Sequence, residues 1–150
     1  MQHVEVVRTI NAPVQAVWDR YTDHVSWSEW AGFGTVRLER EGRPPPNGVG
    51  CVRVFSNAGL KVVYEEVISF EPPRRMTYRI VRGPVPVKDH RGEVLFEPSD
   101  GGTRITWRCQ FDSKVPGLGK LFRRIITRMF RNALEGLARE KFAAARSDDG

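Results

Sequence analysis

Four polar side chains of this chain, Tyr64, Glu66, Tyr78 and His90, have the chemistry to orient a carbonyl or phenol group or to pass a proton. Each lies in a stretch with strand character, so its use depends on which face the strand turns inward. In the Leu60–Phe70 stretch, Val62, Ile68 and Phe70 share a face with Tyr64 and Glu66. In Arg75–Arg82, Met76 and Ile80 share one with Tyr78, and in the next stretch Val94 and Phe96 share one with His90. With those apolar faces inward, a positioned donor and acceptor meet in an apolar interior, as general acid–base catalysis requires. A carboxylate desolvated beside Tyr64 would have its pKa raised, which suits a proton shuttle. The competing reading makes both tyrosines core or rim residues with satisfied hydroxyls and leaves Glu66 in water at a strand edge. It also puts His90 on the surface, within Lys88-Asp89-His90-Arg91. Arg53 stays open, because Cys51 and Phe55 argue for one face and Val52 and Val54 for the other. A one-residue slip reverses any of these assignments.

Other chemistries find little support. His3, His24 and His90 are isolated, with no HExxH or HxH spacing, so no metal is expected. There is no GxSxG nucleophile. Cys51 and Cys109 form no CxxC and have no neighbouring histidine in sequence; buried, inert thiols are the simpler reading. Gly48 and Gly50 lack the context of a phosphate cradle, and no cofactor is expected.

The elements that must hold these residues can be read from period and punctuation. His3–Ile10 alternates as a strand with Val4, Val6 and Ile10 on one side. Pro13 suits a first helical position, and Val14, Val17, Trp18 and Tyr21 follow at helical spacing. Ser26 is a plausible N-cap for a second short helix with Trp27 and Trp30, which Gly32 and Gly34 end. Strands follow from Thr35 to Arg40, Cys51 to Ser56, Leu60 to Phe70, Arg75 to Arg82, Val87 to Glu97 and Thr103 to Asp112. The turns between them, among them Asn57-Ala58-Gly59 and Pro98 to Gly102, are short enough to make neighbours antiparallel. Ile105, Trp107, Cys109 and Phe111 face one way on the last strand. From Leu118 to Phe142 the period becomes 3.6, a helix of about seven turns, on the order of 40 Å long.

The chain has 150 residues, 40% hydrophobic and 28% charged, with a net charge of +6. That fits one domain over 1–146 with a polar tail at 147–150. No apolar run reaches the roughly 20 residues of a membrane span, and the alternating N-terminus does not read as a signal peptide. A cytoplasmic, thiol-reduced protein is the expectation. Between Lys114 and Arg146 nine lysines and arginines face two acids, leaving fifteen and sixteen elsewhere, so the basic excess lies in the C-terminal segment.

An α+β domain follows: two short helices between strands one and two, and a curved antiparallel sheet of about seven strands wrapped around a long C-terminal helix. A bent sheet cannot touch a straight helix everywhere, and the gap is a natural small-molecule pocket. The motifs Ile10 to Trp18, Thr22-Asp23 with Trp27-Ser28-Glu29-Trp30, Gly48 to Arg53, Phe70 to Arg79 and Gly101 to Trp107 resemble the START-like (SRPBCC, Bet v 1-like) superfamily. The resemblance is specifically to its polyketide cyclase/dehydrase branch, and it spans essentially the whole chain. It implies a helix-grip fold with a deep cavity, in a superfamily that ranges from lipid carriers to aromatase/cyclases.

The expected function is binding of a small hydrophobic molecule, lipid-like or polyketide-like, between sheet and C-terminal helix. The expected lining is Trp30, Tyr64, Glu66, Tyr78, Phe96, Trp107, Met129 and Phe130. The main rival is a cyclase, aromatase or dehydratase with Tyr64, Glu66, Tyr78 and His90 as acid–base candidates in an aldol cyclisation and dehydration. A third reading has the basic helix bind an anionic surface. Nucleic acid is not expected, since Arg123, Arg124, Arg128 and Arg131 lack interleaved exposed aromatics.

Overall fold

Short Gly- and Pro-containing turns leave each strand little choice but to pair with the next, and the computed structural model, which describes residues 1–57 and 61–142, has that order. The strands are β1 (Gln2–Ile10), β2 (Thr35–Arg40), β3 (Val52–Asn57), β4 (Lys61–Glu71), β5 (Arg75–Arg82), β6 (Val87–Ser99) and β7 (Gly102–Ser113). They form one seven-stranded antiparallel sheet ordered β1-β7-β6-β5-β4-β3-β2. The step from β1 at one edge to β2 at the other is made by α1 (Val14–Thr22), a 3-10 turn (His24–Ser26) and α2 (Trp27–Trp30). After β7 comes α3 (Gly119–Ala138), which packs against β1 and β7 and meets α2. This is the helix-grip α+β arrangement. The centre of the expected 57–59 turn, the start of β4 at Leu60, and residues 143–150 with the expected tail lie outside the described residues.

The alternation on β1 and β7 turns Val4, Val6, Ile10, Ile105, Trp107, Cys109 and Phe111 inward, where all are buried. Behind them an aromatic cluster fills the space under α1 and α2. Tyr21 meets Trp27, Phe96 and Trp107 edge-on at 5.0, 5.3 and 5.4 Å between ring centroids.

Three local expectations are corrected. Pro13 is the N-cap of α1 rather than its first helical residue. Ser26 stands at the N-cap of α2 as expected, but it makes no side-chain capping bond: the preceding 3-10 turn leads into the helix, and the Ser26 Oγ donates to the Asp23 carbonyl at 2.6 Å. Last, α3 stops at Ala138, twenty residues and about 30 Å long. The Arg139 N–H bonds back to the carbonyls of Glu135 and Gly136, and the chain leaves the axis. Glu140 thereby accepts from Arg20 Nε at 2.8 Å, and Phe142 folds onto the core.

Among the described residues no helix is long and apolar enough to cross a membrane.

Candidate functional site

The inner faces of β3 to β6 and the first half of α3 do not meet. Between them lies a cavity of about 530 Å³, open to solvent on one side. Its walls are mostly apolar: Phe55 and Val63 from β3 and β4, Ile80 and Val87 from β5 and β6, and Phe122, Ile126 and Phe130 from α3. Phe33, Val85 and Pro86 come from connecting loops, and Ile125 and Met129 border the opening. Polar groups reach it from Glu65, Tyr78, His90 and Asn57.

The face of β4 differs from the sequence reading. Register pairs Arg53 with Glu65 and Val54 with Tyr64, and the buried Arg53 guanidinium holds Glu65 on the inner side. Tyr64 and Glu66 therefore point away from the cavity. Arg82 lies 3.8 Å over the Tyr64 ring, and Glu66 accepts from Arg40 and Arg79, each at 3.1 Å. The cause is a β-bulge. Val67 pairs with Tyr78 and Ser69 with Thr77, so Ile68 is an extra residue that switches the parity of the strand. Phe70, beyond the bulge, turns inward against Trp18 at 5.1 Å, while Val63, Glu65 and Val67 turn inward before it. Reading inward from Phe70 without the extra residue gives the wrong face.

β5 and β6 also carry register shifts, beyond Ile80 on β5 and between Lys88 and Arg91 on β6. Met76 and Tyr78 nevertheless keep one face, as do His90, Val94 and Phe96, and Tyr78 and His90 both face the cavity. Gly92 opposite Tyr78 makes room for the ring, since a Cβ there would stand 2.2 Å from its Cζ. Met129 and Phe130 also line the cavity. Trp30, Phe96 and Trp107 do not; all three are buried behind it. Trp30 Nε1 donates to Ser26 Oγ at 3.0 Å, and Phe96 packs edge-on against Trp18 at 5.1 Å. Trp107 stacks under Phe130 at 4.0 Å, one layer beneath the wall.

The polar end of the cavity is organised around residues the sequence reading left out or open. Arg53 donates from Nε and Nη2 to Oε1 of Glu65, at 3.1 and 2.9 Å. Its guanidinium lies 4.8 Å from the Trp27 ring and 4.6 Å from that of Tyr78. Burial works to strip the Arg53 proton, but the charge and hydrogen bond of Glu65 together with Tyr21 and Tyr78 outweigh it, and the group stays cationic. With Oε1 occupied, Oε2 of Glu65 has no protein partner among the described residues and is available to a ligand donor. His90 Nδ1 accepts the Ile80 N–H at 3.2 Å, so the neutral ring carries its proton on Nε2. Burial lowers the His90 pKa against the opposing pull of Glu65, which keeps the ring neutral. The Tyr78 hydroxyl accepts from Trp107 Nε1 at 2.7 Å, leaving its own proton to donate. Burial, reinforced by Glu65, pushes the Tyr78 pKa well above its ordinary value. One acceptor and two neutral donors thus face an apolar chamber.

Three further buried groups, His24, Cys51 and Tyr21, lie near Arg53. His24 Nδ1 is 3.7 Å from Cys51 Sγ, while His24 Nε2 and the Tyr21 hydroxyl have no partner. Burial lowers the His24 pKa far below its ordinary value and raises that of Cys51, so this pair is neutral. No group of three metal-ligating side chains occurs among the described residues.

Residues 1–140 match the family described as polyketide cyclase / dehydrase and lipid transport. The chain belongs to that family. Solved structures with the same fold include XoxI of Bacillus cereus, at 19% identity and a TM-score of 0.77 over 100% of this chain and 99% of that one. A Thermobifida fusca protein has 22% identity and a TM-score of 0.77, covering 92% and 91%. The Zhui aromatase/cyclase of a Streptomyces species has 18% identity and a TM-score of 0.76, covering 91% of each. At such identities the likeness is one of fold. No curated protein matches the chain by sequence.

Proposed function

We propose that this member of the polyketide cyclase/dehydrase and lipid transport family binds a small, mainly apolar molecule with a polar end. The observation that carries this is the 530 Å³ cavity, a volume within the ~300–1,000 Å³ typical of small-molecule sites, with apolar walls and three unspent hydrogen-bonding groups at one end. The ligand's hydroxyl or amide would donate to Glu65 Oε2, and its carbonyl or phenol oxygen would accept from His90 Nε2 or Tyr78. Free, buried Cys51 and Cys109 support a reducing compartment such as the cytoplasm.

Native mass spectrometry of the purified protein tests the binding reading directly, since a co-purified small molecule would appear as an added mass. A fluorescent apolar probe gives the second test. Ile80→Trp, which fills the chamber, should abolish probe uptake while the fold persists; uptake that survives it places the probe elsewhere and ends the proposal.

Catalysis is favoured by one specific feature, the pairing of a carboxylate with neutral donors in a desolvated end, the arrangement proton transfer in a cyclisation and dehydration would use. Glu65→Gln and His90→Gln separate the two readings. A carrier keeps binding within a few-fold in both, whereas an enzyme loses turnover by roughly 10²–10⁴-fold, with binding retained.

A further inference from the structure

The outer side of α3 serves neither the core nor the polar end of the cavity. Phe130, Ala133, Leu134 and Leu137 anchor its second half, but Leu121, Ile125 and Met129 in the first half are 48%, 47% and 41% exposed. Spaced four residues apart, they form a stripe down one side of the helix. Isolated exposed aliphatics are ordinary, whereas three in register, two of them at a cavity opening, are not.

Beside the stripe the charge is of one sign. Arg123, Arg124, Thr127, Arg128 and Arg131 border with Ile125 an open concavity of about 460 Å³. Neither these four arginines nor Lys120 pairs with a carboxylate among the described residues. The helix has no acidic residue before Glu135. A helix with a cationic face next to an aliphatic one has the pattern of an element lying in a membrane interface.

We propose that the first half of α3 docks on an anionic phospholipid surface. Leu121, Ile125 and Met129 enter the boundary between headgroups and acyl chains, the arginine-lined concavity receives lipid phosphates, and the cavity opening faces the bilayer. Charge complementarity selects this occupant. A second copy of the chain, meeting by the same patch, would set these cations against themselves. Nucleic acid would use the arginines but gain nothing from an aliphatic stripe, and the helix exposes no aromatic ring for base stacking. The inference rests on the helix surface and does not require the cavity to hold a ligand.

The test is sedimentation of the whole protein with vesicles of phosphatidylcholine alone or of phosphatidylcholine with added phosphatidylglycerol. Binding is expected only to the anionic vesicles and should weaken with salt. Each cation near such a surface contributes roughly fivefold, so Arg124→Glu with Arg128→Glu should lower partitioning by at least about tenfold. Ile125→Ser with Met129→Ser should also weaken it, and circular dichroism melts establish that these surface variants fold. The proposal is overturned by failure to bind anionic vesicles, by equal binding to neutral ones, or by indifference to Ile125→Ser with Met129→Ser. It is equally overturned if the protein is held by DNA and not by vesicles, or forms a dimer that buries the stripe. Vesicle binding is read without any ligand, so its failure is distinct from failure of the cavity reading.

Discussion

Removing Glu65 and removing Arg53 should not cost the same. The Arg53 side chain is 1% exposed and the Glu65 side chain 15%, so loss of the carboxylate strands a buried cation, while loss of the cation leaves a carboxylate that can turn to the cavity. Glu65→Ala should destabilise by about 3–5 kcal/mol in urea melts, and Arg53→Met by clearly less. Replacing both with apolar residues of similar size should recover most of the loss, and a double variant as unstable as Glu65→Ala would refute the account. His24 and His90 set a pH dependence. Burial depresses both pKa values, so the unfolded chain takes up protons that the folded one refuses. Stability is then complete above about pH 6.5 and falls below it, by up to roughly 1.4 kcal/mol per pH unit for each histidine. Comparing urea melts at neutral and mildly acid pH measures the loss, and His24→Asn should remove the His24 share. At this scale the inward facing of Tyr78 and His90 is legible in sequence, because Met76, Tyr78 and Ile80, and His90, Val94 and Phe96, alternate without interruption. Glu65 is not legible, because the ion pair that makes it inward joins two strands, and the partner's own face was ambiguous in the run from Cys51 to Phe55.

At the scale of elements, a close approach holds α2 against α3. At Gly136 a Cβ would lie 1.9 Å from the Trp30 carbonyl, so α2 can meet α3 only because that position lacks a side chain. Alanine at a helix interior is ordinarily worth up to about 1 kcal/mol over glycine. Here the backbone clash should outweigh it, and Gly136→Ala should lower stability by roughly 1–3 kcal/mol in a thermal or urea melt. A stabilised variant would mean that the two helices separate at little cost. The order and antiparallel pairing of β2 to β7 are legible because turn residues punctuate them. The bulge at Ile68 is harder. The apolar pairs Val62-Val63 and Val67-Ile68 put hydrophobic residues on both faces, which is the signature of a parity change, but only the pairing partner on β5 locates it. The early end of α3 was hidden for a similar reason. Phe142 continues the helical period yet reaches the core by a different path, because Glu140 is drawn to Arg20 from an element far away in the chain.

The whole molecule divides α3 into two halves with different work. Phe130, Ala133, Leu134 and Leu137 are buried in the common core, while Phe122 and Ile126 are only half-buried over the cavity and Leu121, Ile125 and Met129 face outward. Local opening should follow that division, since it is cheapest where buried apolar contacts are fewest. Amides of residues 119–129 should therefore exchange with solvent faster than those of 130–138. A ligand filling the cavity gives Phe122 and Ile126 the partners they lack, so it should slow exchange in the first half and leave the second nearly unchanged. It should also raise the melting temperature, by the equivalent of about 2.7 kcal/mol when the ligand is present at a hundredfold over its Kd. Hydrogen exchange with and without a bound apolar probe measures both effects. Uniform protection along α3 in the free protein would mean that sheet and helix are already fully packed, and the cavity would then have no mechanical link to the element that closes it.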